Sequence, residues 1–152
     1  MKRFLLIILP FLLIGCSPNT LYEDTYSVNR NGWVIDSVGH FRFTIDDTTR
    51  YYNLDILVRN TGDYEYQNLW LFIEYVKPDM TYSNDTAQLF LADDYGNWIG
   101  SGIGSIYSAN YAYRDSIRFG QTGEYLLNIR QGMRDDSLKG ITDIGVTLTL
   151  AN

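Results

Sequence analysis

The residue with the most definite chemistry in this sequence is Cys16, the one cysteine of the chain. It directly follows Leu13, Ile14 and Gly15. This is the pattern of a lipobox, in which a signal peptide is removed in front of a cysteine whose sulfur is diacylated. A single cysteine forms no intrachain disulfide, and a free thiol that follows an apolar run by chance is the alternative. We predict Cys16 as a lipidation site that attaches the mature protein to a membrane.

The segment before this cysteine has the parts of an export signal. Lys2 and Arg3 precede an apolar stretch at residues 4–14, which is too short for a spanning helix because a bilayer core needs about 20 apolar residues. We predict a cleaved signal peptide at residues 1–15 and a lipidated tether at residues 16–25. Cleavage removes two of the 12 basic residues, which leaves 10 against 18 acidic residues and a net charge of −8. That charge opposes nucleic-acid binding.

Side chains that could catalyse a reaction are few. His40 is the only histidine of the chain, and it lies in a predicted strand on the face opposite Phe41 and Phe43. No Ser-His-Asp or Cys-His arrangement can be recognised around it, and one histidine without a free thiol does not suit a transition-metal site. We therefore expect no enzyme activity, no catalytic residue, no cofactor and no small-molecule substrate.

Three acidic doublets carry the remaining possible chemistry, at residues 46–47, 93–94 and 135–136. Paired carboxylates can serve glycoside hydrolysis or bind calcium, but aspartate is also favoured in turns because its side chain bonds the local backbone. Asp93, Asp94 and Asn97 are the calcium candidate, since side-chain oxygens alternate there around a glycine. The spacing of an EF-hand is absent, and we favour the turn interpretation.

An aromatic, glycine-rich segment is the candidate contact surface. The chain contains 13 Tyr, 7 Phe and 3 Trp, most of which are expected to fill the core of a β-protein. The alternate glycines after Trp98 lack the strand-to-helix context and the lysine of a phosphate-binding loop, and they favour a close backbone approach. The candidate residues for binding protein or sugar are Trp98, Gly100, Gly102, Gly104, Tyr107, Tyr111 and Tyr113.

Apolar residues alternate with polar ones along most of residues 26–152, which predicts β-strands. The segment at 69–76 is apolar on both faces as far as Glu74, which predicts a central strand covered on both sides. The turns between strands predict an all-β domain, a single antiparallel β-sandwich of immunoglobulin-like or jelly-roll type. The predicted strands are residues 38–45, 51–59, 69–76, 86–91, 111–119, 124–131 and 144–150.

Parts of the chain resemble a known lipoprotein family. These are Leu91-Ala-Asp-Asp-Tyr-Gly-Asn-Trp-Ile-Gly-Ser-Gly-Ile-Gly-Ser105, Gln131-Gly-Met-Arg-Asp-Asp-Ser-Leu-Lys-Gly-Ile-Thr-Asp-Ile-Gly145 and the Asn-Leu-Trp-Leu-Phe strand at 68–72. They are similar to the gliding-motility lipoprotein family GldH of Bacteroidota, although Gly120 and Gly132 stand where proline and alanine are expected. The resemblance covers most of the mature chain. It implies a non-enzymatic envelope lipoprotein whose partners are protein components of the gliding and type IX secretion apparatus.

Further expectations concern the turn at residues 133–136 and the side of the membrane. We predict that this turn docks on the sandwich, with Met133 inward and Arg134 paired to a carboxylate. Residues 17–22 contain no acidic cluster of the kind that marks surface-exported lipoproteins of Bacteroidota. We therefore predict an outer-membrane lipid anchor that faces the periplasm.

Two alternatives stay open at this point. Ser37, Thr48 and Thr86 each follow an aspartate and precede an apolar residue or threonine, which is the periplasmic O-glycosylation pattern of Bacteroidota. We expect these three in loops, where turn formation is the competing explanation. For the whole protein, the alternative to an assembly component is a carbohydrate-binding surface lipoprotein of the nutrient-capture type, because aromatic residues on a β-sandwich can stack on sugars.

Overall fold

The computed structural model describes residues 19–151, which form strands and turns. The predicted signal peptide and Cys16 lie outside the described residues. Within the described part of the chain, no helix is long and apolar enough to cross a membrane. The strands are β1 (Thr20–Ser27), β2 (Trp33–Val34), β3 (Gly39–Ile45), β4 (Tyr52–Thr61), β5 (Asn68–Val76), β6 (Tyr82–Phe90), β7 (Ile106–Ile117), β8 (Gly123–Gln131), β9 (Ser137–Leu138) and β10 (Ile141–Leu150).

The strands form where side chains alternate between core and solvent. In β3, Phe41, Phe43 and Ile45 are buried, whereas His40 and Arg42 between them are exposed. Its neighbour β8 shows the same alternation. Successive side chains of a strand point to opposite faces, so this spacing gives the sheet one apolar face.

Two four-stranded antiparallel sheets make up the domain. The first sheet has the order β1-β10-β4-β7, the second has the order β3-β8-β5-β6, and β2 pairs with β9 in a separate ribbon. The buried side chains of both sheets form one core cluster. The prediction of an antiparallel β-sandwich is confirmed.

An aromatic cluster joins the two sheets inside the core. The ring of Phe43 stacks on Tyr125 at 5.9 Å between centroids. Phe119 meets Tyr125 at 4.9 Å and Tyr52 at 5.3 Å, edge to face in both cases. Such pairs add about 0.5–1.5 kcal/mol each beyond the burial of their area.

The pairing register separates the sandwich into two ends. Thr20 pairs with Thr149, and Tyr52 pairs with both Leu150 and Ile117, so the start of β1 lies at the same end as these residues. We call this the N-terminal end, and segments 46–51, 77–81 and 118–122 connect strands there. The opposite, distal end carries segments 62–67, 91–105 and 132–136.

The first strand corrects the predicted tether. The interpretation of residues 16–25 as a tether is wrong from Thr20 onward, because β1 begins there and pairs with β10. The physical reason is that Tyr22 and Tyr26 pack against the core, and the Tyr22 ring lies 5.7 Å from that of Phe43. Although most residues of this segment are polar, its backbone pairs with the edge of β10 and its two tyrosines cover apolar surface of the core.

Candidate functional site

The outer surface of the second sheet carries exposed aromatic residues. Trp70 is 38% exposed and Phe72 is 43% exposed, whereas Leu71 between them is buried. Phe90 at the end of β6 is 57% exposed. The prediction that β5 is covered on both sides is therefore wrong, because only its inner face packs in the core. We call Trp70, Phe72 and Phe90 the outer aromatic face.

A turn borders this face and shapes a hollow of about 410 Å³. Gln131 is buried and holds the turn, because its Nε2 donates to the carbonyl of Asp135 and its Oε1 accepts from the backbone N–H of Met133, each at 2.7 Å. Met133 is half-buried against the core and its sulfur accepts from the backbone N–H of Trp70 at 3.3 Å. The expectation that Met133 points inward agrees with this geometry. The hollow is lined by Tyr66, Asn68, Trp70, Phe72, Gly132, Met133 and Arg134.

Two arginines lie at this face. The guanidinium of Arg130 lies 5.7 Å from the ring centroid of Phe72, and Arg134 lines the hollow. Neither side chain forms an ion pair with a described residue, so the predicted pairing of Arg134 to a carboxylate is wrong. The nearby Asp135 instead accepts a hydrogen bond from the Tyr66 hydroxyl at 2.8 Å, which raises the pKa of Tyr66.

A polar row crosses the same sheet beside Phe72. His40 Nδ1 lies 2.6 Å from Asn128 Oδ1, and Asn128 Nδ2 donates to Glu74 Oε1 at 2.7 Å. Because the amide oxygen accepts, this contact requires a proton on Nδ1 of the imidazole. His40 is exposed on the face opposite Phe41 and Phe43, as its strand position predicted. The row lines a groove of about 720 Å³, whose fixed donors and acceptors suit binding of a polar chain.

The predicted contact residues lie elsewhere and are mostly packed. Trp98 is half-buried between Tyr64, at 6.3 Å, and Tyr107, at 5.8 Å between ring centroids. Tyr111 and Tyr113 pack against the core from β7. The Tyr113 hydroxyl donates to Asp85 at 2.8 Å, and burial together with this bond raises the pKa of Tyr113 to about 12. The structure therefore does not gather these rings on one exposed face.

The predicted glycines build a tight hairpin before β7. Ser101 pairs with Ser108, and a Cβ atom at Gly102 would clash with the carbonyl oxygen of Ile106. Gly104 adopts a φ of 76°, which L side chains avoid. The residue that the hairpin exposes is Ile103, which is 99% accessible at the distal end and which was not among the predicted contact residues.

The calcium candidate has the geometry of a turn. Asp93 accepts from the backbone N–H groups of Tyr95 and Asn97 at 2.9 and 2.8 Å, and from the Asn97 amide at 2.9 Å. The bonds from Asn97 lower the pKa of Asp93. Asp94 is exposed, and residues 19–151 hold no group of three or more His, Cys, Asp or Glu that could bind a metal. The turn interpretation accounts for this segment.

The candidate glycosylation residues differ in setting. Ser37 and Thr48 are half-buried in connecting segments. Thr86 is exposed, but the expectation of a loop is wrong because it lies in β6. It pairs with Phe72 across the sheet, which explains its extended backbone.

Comparison with known proteins agrees with this architecture. Residues 20–148 match the family model described as GldH lipoprotein. The chain belongs to the GldH lipoprotein family. The gliding motility lipoprotein GldH homolog of Christiangramia forsetii is 31% identical over 93% of this chain and 91% of its own length. Gliding motility lipoprotein GldH of Flavobacterium johnsoniae is 28% identical over the same shares.

Membership in the GldH family confirms the resemblance that the sequence suggested, and it makes the chain a lipoprotein of the cell envelope. Among solved structures, the VP2 subviral particle of infectious bursal disease virus matches 86% of this chain and 30% of its own chain, with a TM-score of 0.35 and 15% identity. That likeness is too low to bear on function.

Proposed function

We propose that this GldH-family lipoprotein is a non-enzymatic assembly component, anchored in the outer membrane by acylated Cys16 and facing the periplasm. Its partner is a protein of the gliding and type IX secretion apparatus. The observation that carries the proposal is the outer aromatic face, where Trp70 and Phe72 are exposed beside Arg130. Trp, Tyr, Met and Arg are the residues enriched at the centre of protein interfaces.

The exposed area of this face is large enough to contribute to affinity. An aromatic side chain presents about 150–250 Å², so exposed fractions of 38% for Trp70 and 43% for Phe72 leave roughly 60–110 Å² apiece for a partner to cover. At about 25 cal/mol per Å², each ring would contribute roughly 1.5–3 kcal/mol. The Arg130 charge would add selectivity for an acidic partner surface.

The absence of an acidic cluster at residues 17–22 supports a periplasm-facing anchor. Proteinase added to intact cells should then spare the protein and digest it after lysis. Digestion without lysis would contradict this orientation.

Site-specific photocrosslinking in the native host tests the partner assignment. A photoreactive amino acid at Phe90 samples the outer aromatic face, and one at Ile103 samples an even more exposed apolar site at the distal end, so low accessibility cannot explain a weaker product there. We expect a crosslinked envelope protein from position 90 and a much weaker product from position 103. Arg130→Glu should reduce the product from position 90, because it reverses the charge beside Phe72. Equal crosslinking from both positions, or none from position 90, would refute the proposed surface.

The polar groove favours a second candidate, carbohydrate binding. The His40–Asn128–Glu74 row lies beside Phe72, so hydrogen-bonding groups and an aromatic ring meet in one groove of about 720 Å³. Calorimetric titration of the protein with envelope glycans, repeated with Asn128→Ala, separates the two candidates. Heat of binding that disappears in Asn128→Ala would favour a glycan ligand over a protein partner.

A further inference from the structure

The N-terminal end of the sandwich is one continuous surface next to the start of the chain. The backbone N–H of Leu150 donates to the carbonyl of Asn19 at 3.0 Å, and that of Ala151 donates to Tyr51 at 2.9 Å. The guanidinium of Arg118 lies 5.4 Å from the ring centroid of Tyr51. The first described residue, the last strand and segments 46–51 and 118–122 are therefore in mutual contact.

Turn 77–81 belongs to the same surface. Gln121 donates from Nε2 to Asp79 Oδ2 at 2.9 Å, which ties this turn to segment 118–122. Asp79 also accepts from the backbone N–H and the hydroxyl of Thr81, at 3.0 and 2.6 Å. The turn is thus held in one conformation rather than left free.

The exposed side chains of this end have the composition of a membrane interface. Met80 is 77% exposed, Tyr82 67%, Leu21 53% and Tyr51 50%. The connecting segments carry three basic residues, Arg50, Lys77 and Arg118, and three acidic residues, Asp46, Asp47 and Asp79, so the surface has no net charge that would repel lipid headgroups. Aromatic rings, apolar side chains and basic residues with long stems are the groups that settle at the level of lipid headgroups.

Met80 is exposed at a backbone conformation that does not suit it. Its φ is 64°, in the left-handed region where glycine or asparagine is preferred. The backbone N–H of Met80 donates to the carbonyl of Lys77 at 2.9 Å, so the hairpin turn between β5 and β6 sets this backbone conformation, but the turn makes no use of the exposed methionine side chain. The side chain is therefore an apolar group presented to the surroundings at the tip of a fixed turn.

Covalent geometry places this end close to the bilayer. Three peptide links separate Cys16 from Asn19, and a chain spans at most about 3.6 Å per residue, so their Cα atoms are within roughly 11 Å of each other. The headgroup layer on each side of a bilayer is itself about 5–8 Å thick. The distal end is separated by the 12 residues of β7, roughly 40 Å of extended chain.

We propose that the N-terminal end is a lipid-contacting surface, with Met80, Tyr82 and Tyr51 seated in the headgroup layer. This rests on acylation of Cys16 in the proposed function. The acyl chains hold the protein at the membrane, and the lipid-contacting surface fixes its tilt. The strands then stand upright, and the outer aromatic face is presented sideways to a partner in the plane of the membrane.

Fluorescence quenching in vesicles tests this proposal on the full-length acylated protein. The vesicles consist of phosphatidylcholine with or without bromine on the acyl chains, because bromine quenches nearby indole emission. The native residues Trp33 and Trp98 lie at the distal end, and Trp70 lies near the distal end of β5. Their emission is the background from which the emission of an introduced tryptophan is distinguished. Met80→Trp should add emission that is blue-shifted and lost in brominated vesicles. Ile103→Trp, the matched control, should add emission that is unaffected.

The outcomes separate this proposal from the anchor on which it rests. Failure of the protein to float with the vesicles would refute acylated anchoring and the lipid-contacting surface together. Flotation without quenching of Met80→Trp and of a second variant, Tyr82→Trp, would overturn the lipid-contacting surface alone. Equal quenching of Met80→Trp and Ile103→Trp would show a protein that tumbles on its tether, which also overturns it.

Discussion

Replacement of Gln131 by leucine should test whether a single buried amide holds the turn beside the outer aromatic face. Gln131 is buried and makes two 2.7 Å hydrogen bonds, to the backbone N–H of Met133 and the carbonyl of Asp135. Leucine keeps the apolar bulk and removes both bonds. Each unpaired backbone group costs about 1–3 kcal/mol when buried, and the two residues here are half-buried, so we expect a loss of about 2–3 kcal/mol.

The loss is measurable as a change in melting temperature. An unfolding entropy of about 2.1 cal/mol/K per residue, over a domain of about 130 residues, converts 2–3 kcal/mol to a decrease of roughly 7–11 °C. Gln88→Leu, on the solvent side of β6, is the matched control and should leave the melting temperature within about 2 °C. If Gln131→Leu melted with the control, the turn would be held by other contacts and the reasoning would fail.

Three further predictions follow from other parts of the fold. Gly102→Ala should open the distal hairpin, because its Cβ would clash with the Ile106 carbonyl, and should speed proteolysis there without large loss of thermal stability. Burial raises the pKa values of Tyr22 and Tyr113 from the ordinary 10.0 to about 12. The free energy of unfolding should therefore be constant below pH 10 and decrease as the pH rises toward 12. Complete tyrosinate absorbance near pH 10 in the folded protein would contradict this. Hydrogen bonds from Thr81 and Gln121 lower the pKa of Asp79 from 3.8 to about 2. The contribution of the Asp79 carboxylate to the free energy of unfolding should therefore be lost as the pH falls through that range. Asp79→Asn should make the free energy of unfolding less dependent on pH in the same range.

Local sequence patterns predicted the core of the fold well. The alternation in β3 and β8 depends on side chains that face the core whatever the partner strand is, so Phe41 and Phe43 could be placed on one face from the sequence. The strand nature of Thr20–Ser27 could not, because its burial depends on the edge of β10, which is more than 100 residues away in the chain.

The exposed aromatic face was missed for a related reason. An apolar run such as β5 fits a strand covered on both sides as well as one with an exposed aromatic face, and only the neighbouring strands decide between them. The available signal was the polar character of His40, Asn128 and Arg130, which occupy the same outer face on β3 and β8. Strand pairing is needed to use that signal. The tyrosines of β7 show the opposite error. Tyr111 and Tyr113 were predicted on an exposed contact surface, but they pack against the core from a strand that pairs with β4.

The attachment of β1 at the edge of the first sheet determines how the protein bears load. β1 pairs as a strand with β10 only and runs away from the membrane anchor, with seven residue pairs along its length. If a moving partner pulls on the domain while the lipid holds residue 16, the force acts along the strand axis. All seven pairs then share the shear force, whereas a pull across the strand would break them one after another. Rupture under force follows the rate of unfolding, so this geometry favours a long mechanical lifetime for the anchored protein.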